Sequence, residues 1–122
     1  MEFPLVPFTI SGAMIGDLAA VVTVAGELDL YTQPQFADEL SAARGRGAQV
    51  LLVDLLDVTF LDSTALGAIA ATARELFQCG GRILLVTDSP HTLRALSLTG
   101  IDRLVTLHRS VNTALDDLTV VA

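Results

Sequence analysis

Lysine is missing from this chain, and cysteine occurs once. The single thiol, Cys79, excludes an internal disulfide and a thiolate metal cluster within one chain. It reads as a small apolar residue near a helix end and fits a reducing cytosol. Positive charge rests on arginine alone, with seven bases against fourteen acids and a net charge of −7. So acidic a surface repels nucleic acid and anionic lipid. With no lysine and no basic patch, direct membrane contact is not expected either. Long apolar runs are absent as well. "VLLVDLL" (50–56) is far shorter than the roughly 20 residues that span a bilayer, and it carries Asp54. "MEFPLVPFTI" has no basic region ahead of its apolar residues and does not read as a signal peptide. No linker, repeat or low-complexity tract interrupts the chain. A soluble cytoplasmic protein of one domain, residues 1–122, is expected.

Of its 122 residues, 52% are hydrophobic, enough for a real core. Residues 5–16 read as a strand, with Pro4 and Pro7 suggesting a sheet edge. "AVVTVAGELDL" (20–30) begins as a β-branched strand that stops at Gly26. "TQPQFADELSAARGRG" (32–47) is a helix. Thr32 or Gln33 can cap it, Pro34 sits in its first turn, and Gly45 and Gly47 end it. "QVLLVDL" (49–55) is a strand buried on both faces. "DST" opens a helix that runs to about Gln78, with Leu66, Ile69, Ala73, Leu76 and Phe77 as its core stripe. A buried strand (82–88), a helix with a Ser cap, an early Pro and a Gly stop (89–100), a short strand (102–108) and a last helix capped by Ser110 (110–118) complete the chain. The order β-β-α-β-α-β-α-β-α predicts an α/β fold, a mixed and mostly parallel sheet with helices packed on it. The first strand is its antiparallel edge.

In parallel β-α units the loops leaving the strands' carboxyl ends gather along one edge. That edge should carry Glu27 and Asp29, then Asp62, Ser63 and Thr64, then Asp88, Ser89 and His91. Asp, Ser and Thr before a helix ordinarily cap it. A helix needs one cap, however. If Asp62 serves, the Ser63 hydroxyl is free in the first turn at an exposed edge. Ala65, Gly67, Ala68, Ala70 and Ala71 then leave a low surface beside it, some of them necessarily facing the sheet. Gly67 costs about 1 kcal/mol relative to alanine inside a helix, which suits a close approach by another backbone. A hydrolase triad from Ser63, His91 and Asp29 or Asp88 is not expected. "LDSTA" lacks the glycines of the G-x-S-x-G elbow, and His91 follows Pro90 in a helical first turn. His108, at a strand end, reads as structural or exposed.

"AGELDLYTQPQFADEL", "LLVDLLDVTFLDSTALGAI" and "GGRILLVTDSPHTLRALSLTGIDRLVTLHRSVNTAL" resemble the STAS domain family, shared by sulfate transporters and anti-sigma factor antagonists. The resemblance covers residues 20–118 and is carried most by "VTFLDSTALG", with the "GELD" turn and the "TG" before the last strand in support. It implies a non-enzymatic, single-domain anti-sigma factor antagonist that needs no cofactor. Such a protein binds an anti-sigma factor with serine kinase activity, so that a sigma factor is freed for transcription. Phosphorylation at the position of Ser63 breaks the complex, and a serine phosphatase restores it. The implied partner surface is Glu27, Leu28, Asp29, Asp62, Ser63, Thr64, Leu66 and Gly67. Many members have glycine where this chain has Ala65, whose methyl is expected to alter how a kinase fits. The alternative within the family is a subunit of a lipid-transfer ABC transporter or of a stress-signalling scaffold.

Overall fold

The computed structural model describes residues 6–119. Five strands lie side by side in chain order: β1 (Thr9–Ile15), β2 (Ala19–Leu28), β3 (Val50–Leu61), β4 (Arg82–Val86) and β5 (Thr106–His108). β1 pairs antiparallel with β2, and every other neighbouring pair is parallel. The helices are α1 (Gln33–Gly45), α2 (Ser63–Gln78), α3 (Pro90–Thr99) and α4 (Val111–Thr119). Pro4 and Leu5, expected near and in the first strand, lie outside the described residues.

Alternation along β2 turns Ala20, Val22 and Val24 onto one face, where all are fully buried. Leu51, Val53 and Leu55 of β3 and Ile83 and Leu85 of β4 join them. This face is covered by Phe36, Leu40 and Ala43 of α1, by Ile69, Ala73 and Leu76 of α2, and by Leu96 of α3. The opposite face presents Leu52, Leu84 and Val86, covered by Ala114 of α4. β4 is thus enclosed on both sides, which accounts for the unbroken apolar run in "RILLV".

Several expected boundaries move. β2 does not stop at Gly26 but continues to Leu28, because β3 runs on to Leu61 and supplies a pairing partner. Gly26 sits in this extension at φ 87°, and a Cβ there would stand 2.8 Å from Phe8 Cα. The pairing shifts register at two places, Thr23/Ala25 and Gly26/Glu27, each time with an extra residue on β3. β4 ends at Val86 rather than residue 88; the Thr87 amide still donates to the His108 carbonyl, but the chain then turns into the Ser89 cap. Ile101–Arg103 winds into a 3-10 turn with Ile101 buried, so the strand expected over 102–108 is reduced to Thr106–His108. Phe77 is not in the core: it is 81% exposed. Leu76 takes the inward position, and one further residue rotates the side chain by about 100°.

Candidate functional site

The corner where β3 turns into α2 is built around Asp62. Its backbone is extended, with φ −105° and ψ −177°, and its Oδ1 accepts from the Thr64 amide at 3.0 Å and the Ala65 amide at 3.2 Å. The Thr64 hydroxyl donates to the same oxygen at 2.6 Å. Asp62 is therefore the N-cap, and it satisfies two amides that the first helical turn leaves unpaired. Its carboxyl titrates below the ordinary carboxylate range, chiefly because the Thr64 hydroxyl donates to it. Partial burial opposes this, while the amides of Ala65, Thr64 and Leu30 reinforce it.

The Leu30 amide belongs to the turn leaving β2. That turn is tied to the corner by the Asp62 amide, which donates to the Leu28 carbonyl at 3.1 Å. The β2 turn is itself rigid. Asp29 Oδ1 accepts from the Tyr31 and Thr32 amides, at 2.9 and 3.1 Å. Of the two expected caps for α1, Thr32 or Gln33, Thr32 holds the N-cap position, yet its hydroxyl makes no capping bond. It turns back instead, accepting from the Asp29 amide at 2.9 Å and donating to the Glu27 carbonyl at 2.8 Å.

With Asp62 occupied, Ser63 is left exposed, and its hydroxyl makes no hydrogen bond among the described residues. Glu27 and Gly67 are exposed beside it, and Asp29 and Thr64 are half-buried. Beyond the nearby backbone of α2 itself, nothing among the described residues comes within 4 Å of where a Gly67 Cβ would stand, so tertiary packing does not demand glycine there. Two residues of the expected surface lie elsewhere. Leu28 is 0% exposed and Leu66 7%, so both side chains are in the core and support the edge from beneath. The small-residue stripe divides likewise: Ala65 and Ala70 are buried, whereas Gly67 and Ala71 are exposed and Ala68 half-buried. The Ala65 methyl points into the core and cannot touch a protein approaching Ser63, contrary to expectation.

The rest of the edge is separate. Ser89 caps α3 by accepting from the Thr92 amide at 3.3 Å. His91 is exposed and shares a groove with Phe60 rather than a hydrogen bond with Ser63. No Ser-His-Asp arrangement forms among the described residues. His108 is structural: Nε2 lies 2.9 Å from Asp117 Oδ2, and Nδ1 lies 3.1 Å from Thr113 Oγ1. Sequence reasoning overlooked three large apolar side chains on this edge, Leu30, Tyr31 and Phe60, exposed by 62%, 86% and 53%. Periodicity in "LDLYT" and "DVTFL" gave no warning, since an apolar residue in a strand or turn reads as core until the packing is seen.

The STAS domain model matches residues 13–114, most of the chain. This protein belongs to the STAS domain family. The anti-sigma-B factor antagonist of Listeria monocytogenes is 31% identical over 84 residues, which cover 69% of this STAS chain and 74% of that protein. A solved anti-sigma factor antagonist from Mycobacterium paratuberculosis matches with a TM-score of 0.77 and 30% identity, covering 92% of each chain. The Bacillus cell fate determinant SpoIIAA, solved in its phosphorylated form, shares the fold with a TM-score of 0.72 and 22% identity, covering 92% of this chain and 99% of that one. The STAS protein described here is thus a homologue of anti-sigma factor antagonists, which are regulatory proteins and not enzymes. None of its described helices is long and apolar enough to cross a membrane.

Proposed function

We propose that this protein is a cytoplasmic anti-sigma factor antagonist switched by phosphorylation of Ser63. In the unphosphorylated state it binds an anti-sigma factor that is also an ATP-dependent serine kinase, and the sigma factor is freed. Phosphorylation ends the complex, and a serine phosphatase renews it. The observation that carries this reading is the division of labour between neighbours. Asp62 performs the capping that a serine at such a corner ordinarily does, and Ser63 is left exposed with an unengaged hydroxyl. Glu27, Asp29, Thr64 and Gly67 form the contact edge around it, held by Leu28 and Leu66 from within.

A phosphate adds roughly −1.5 to −2 charges and three acceptor oxygens. The N-terminus of α2 tolerates that charge, so the fold persists. At an interface, bulk and charge enter a surface that otherwise docks closely, beside Glu27, Asp29 and Asp62. A loss of about 3–4 kcal/mol weakens binding several-hundredfold, at about 1.4 kcal/mol per factor of ten. The test is a pull-down from native-cell lysate with tagged wild type, Ser63→Ala and Ser63→Asp proteins. The expected result is a kinase-like anti-sigma protein retained by Ser63→Ala and lost from Ser63→Asp. Equal retention of one transporter ATPase or one sister STAS protein by all three would give the edge to a scaffold and end the switch reading.

A further inference from the structure

The far end of α2, away from Ser63, carries the aromatic side chain that the core leaves out. Phe77 is 81% exposed and lines a groove of about 380 Å³. The last turns of α2 and the end of the 3-10 turn after α3 form this groove. Buried Ala73 and half-buried Leu104 complete its apolar lining. Arg74 and Arg103, both exposed, line it as well, and Gln78 is the remaining polar residue. No carboxylate lines it. Phenylalanine and arginine are both enriched where proteins meet, relative to the rest of a surface.

Charge pairing separates these two arginines from their neighbours. Arg44 pairs with Glu75, Arg46 with Glu39 and Arg82 with Asp117. Arg74 and Arg103 make no ion pair and no side-chain hydrogen bond among the described residues. Of the acids adjoining them in sequence, Glu75 is engaged by Arg44, and Asp102 is half-buried and does not line the groove. The last carbonyls of α2 are also engaged: those of Leu76 and Phe77 accept from the amides of Cys79, Gly80 and Gly81. Arg94 and Arg109 likewise lack an ion pair among the described residues, but neither lines this groove. In a chain of net charge −7, this groove joins exposed apolar surface to two unpaired cations.

We propose that this groove docks a short acidic segment of a partner protein, a leucine or aromatic side chain flanked by aspartate or glutamate. The apolar side chain packs on Phe77 and Leu104. The flanking carboxylates meet Arg74 and Arg103, whose planar donors suit a carboxylate. Burying Phe77 supplies affinity, and the two arginines favour acidic segments over basic ones. Because Phe77 stands so far out, covering it takes a protein surface rather than a small molecule held in an enclosed cavity. Ser63 opens α2 and Phe77 lies fourteen residues on, about 21 Å along the helix. The proposal therefore does not depend on the Ser63 reading, and a segment held here leaves that edge open.

The test places the photo-crosslinking amino acid p-benzoylphenylalanine at Phe77 of the full chain in its native cells, and sequences the crosslinked peptide by mass spectrometry. The expected adduct joins another protein through an apolar residue with acids on its flanks. Arg74→Glu combined with Arg103→Glu should cut its yield at least tenfold. A synthetic peptide of that segment should bind the purified wild-type chain. Its Kd should rise at least fivefold in Arg74→Gln and in Arg103→Gln, exposed positions at which Tm should stay at the wild-type value. The adduct should form equally in Ser63→Ala and Ser63→Asp chains, whether or not those variants differ at the other edge. Absence of an adduct overturns the proposal, as does one to a basic or uncharged segment, to a second copy of this chain, to lipid or to nucleic acid. A yield and a Kd indifferent to the arginine variants overturn it too. An adduct lost from Ser63→Asp alone would assign Phe77 to the Ser63 interface and end the case for a separate surface.

Discussion

Replacing Ser63 with alanine removes a hydroxyl that makes no hydrogen bond among the described residues, whereas replacing Asp62 removes the acceptor that caps α2. The two substitutions should therefore separate cleanly in thermal melts. Ser63→Ala is expected to stay within about 0.5 kcal/mol of wild type, as surface substitutions do. Asp62→Ala should lower Tm distinctly, since the Thr64 and Ala65 amides and the Thr64 hydroxyl lose their acceptor. Equal Tm losses would mean that Ser63 shares the cap. Acid offers a second check on Asp62. Folding lowers its pKa from an ordinary value of 3.8. The stabilising effect of the ionised cap is therefore complete above that value and lost as pH falls through the lower folded one. The Tm gap between wild type and Asp62→Ala should be full at pH 7 and should close only in strong acid. A gap that closes near pH 6 would assign the stabilisation to another group. The site was half legible at this scale. "DST" before a helix announced one cap and a spare hydroxyl, but which residue capped depended on the extended backbone at Asp62. No sequence signal marked the Thr32 hydroxyl as a brace for the Glu27–Asp29 turn, because threonine beside a helix start reads first as a cap.

Among the elements, the extension of β2 and β3 past β4 decides where the site stands. Gly26 permits that extension, since φ 87° and the close approach of the Phe8 backbone both exclude a side chain. Gly26→Ala is expected to destabilise the protein by about 1–2 kcal/mol, measured by urea unfolding, and to loosen the turn that carries Glu27 and Asp29. A neutral result would show that the extension repacks without cost. The sequence did show a glycine here, but a glycine in a strand reads equally well as a stop or a bulge. Only the length of the partner strand distinguishes them. α4 raises a different matter. Its apolar contact sets Ala114, flanked by Val111, Leu115 and Leu118, against Leu52, Leu84 and Val86, and Asp117 adds a pair of hydrogen bonds from Arg82, at 2.9 and 3.3 Å. Arg82, then His108, hold the Asp117 carboxyl below its usual range. As with Asp62, the sign places the benefit above pH 3.8 and its loss in stronger acid. Asp117→Asn should cost about 0.5–1 kcal/mol at pH 7, the value of a partly exposed ion pair, and hydrogen exchange should quicken first in α4. Unchanged exchange there would mean that the apolar contact alone holds the helix. The apolar runs that located β2, β3 and β4 could not foretell which face each helix covers. Nor could it foretell that Phe77 would be left outside while Leu76 filled the core.

For the molecule as a whole, one end carries a concentration of acid, while at the other Glu39, Glu75 and Asp117 pair with Arg46, Arg44 and Arg82. Glu27, Asp29, Asp57, Asp62 and Asp88 collect at the carboxyl edge of the sheet, and most arginines lie toward the other end. A phosphate on Ser63 takes the net charge from −7 to about −9, and it places the new charge where the old ones already stand. Two mechanisms for release then make different forecasts. If phosphate rearranged the fold, α2 would lose helicity and Tm would drop sharply. If it acts only at the contact surface, circular dichroism and Tm should match wild type to within a few degrees while affinity falls several-hundredfold. The geometry favours the second course. The Ser63 hydroxyl is exposed, makes no hydrogen bond among the described residues, and sits in the first turn of a helix whose cap is supplied by another residue. Ionic strength divides the loss further. The Debye length shrinks from about 10 Å at 0.1 M salt to about 3 Å at 1 M. Repulsion felt across solvent is therefore screened, whereas the bulk of a phosphate in a close contact is not. Wild-type binding should weaken as salt rises if the acidic edge meets a basic surface. The gap between phosphorylated and unphosphorylated protein should narrow by about tenfold at most, with bulk accounting for the remainder. Calorimetric titration of both forms at two salt concentrations would show this. A gap that vanishes at high salt would make the switch purely electrostatic and remove the need for close contact at Gly67.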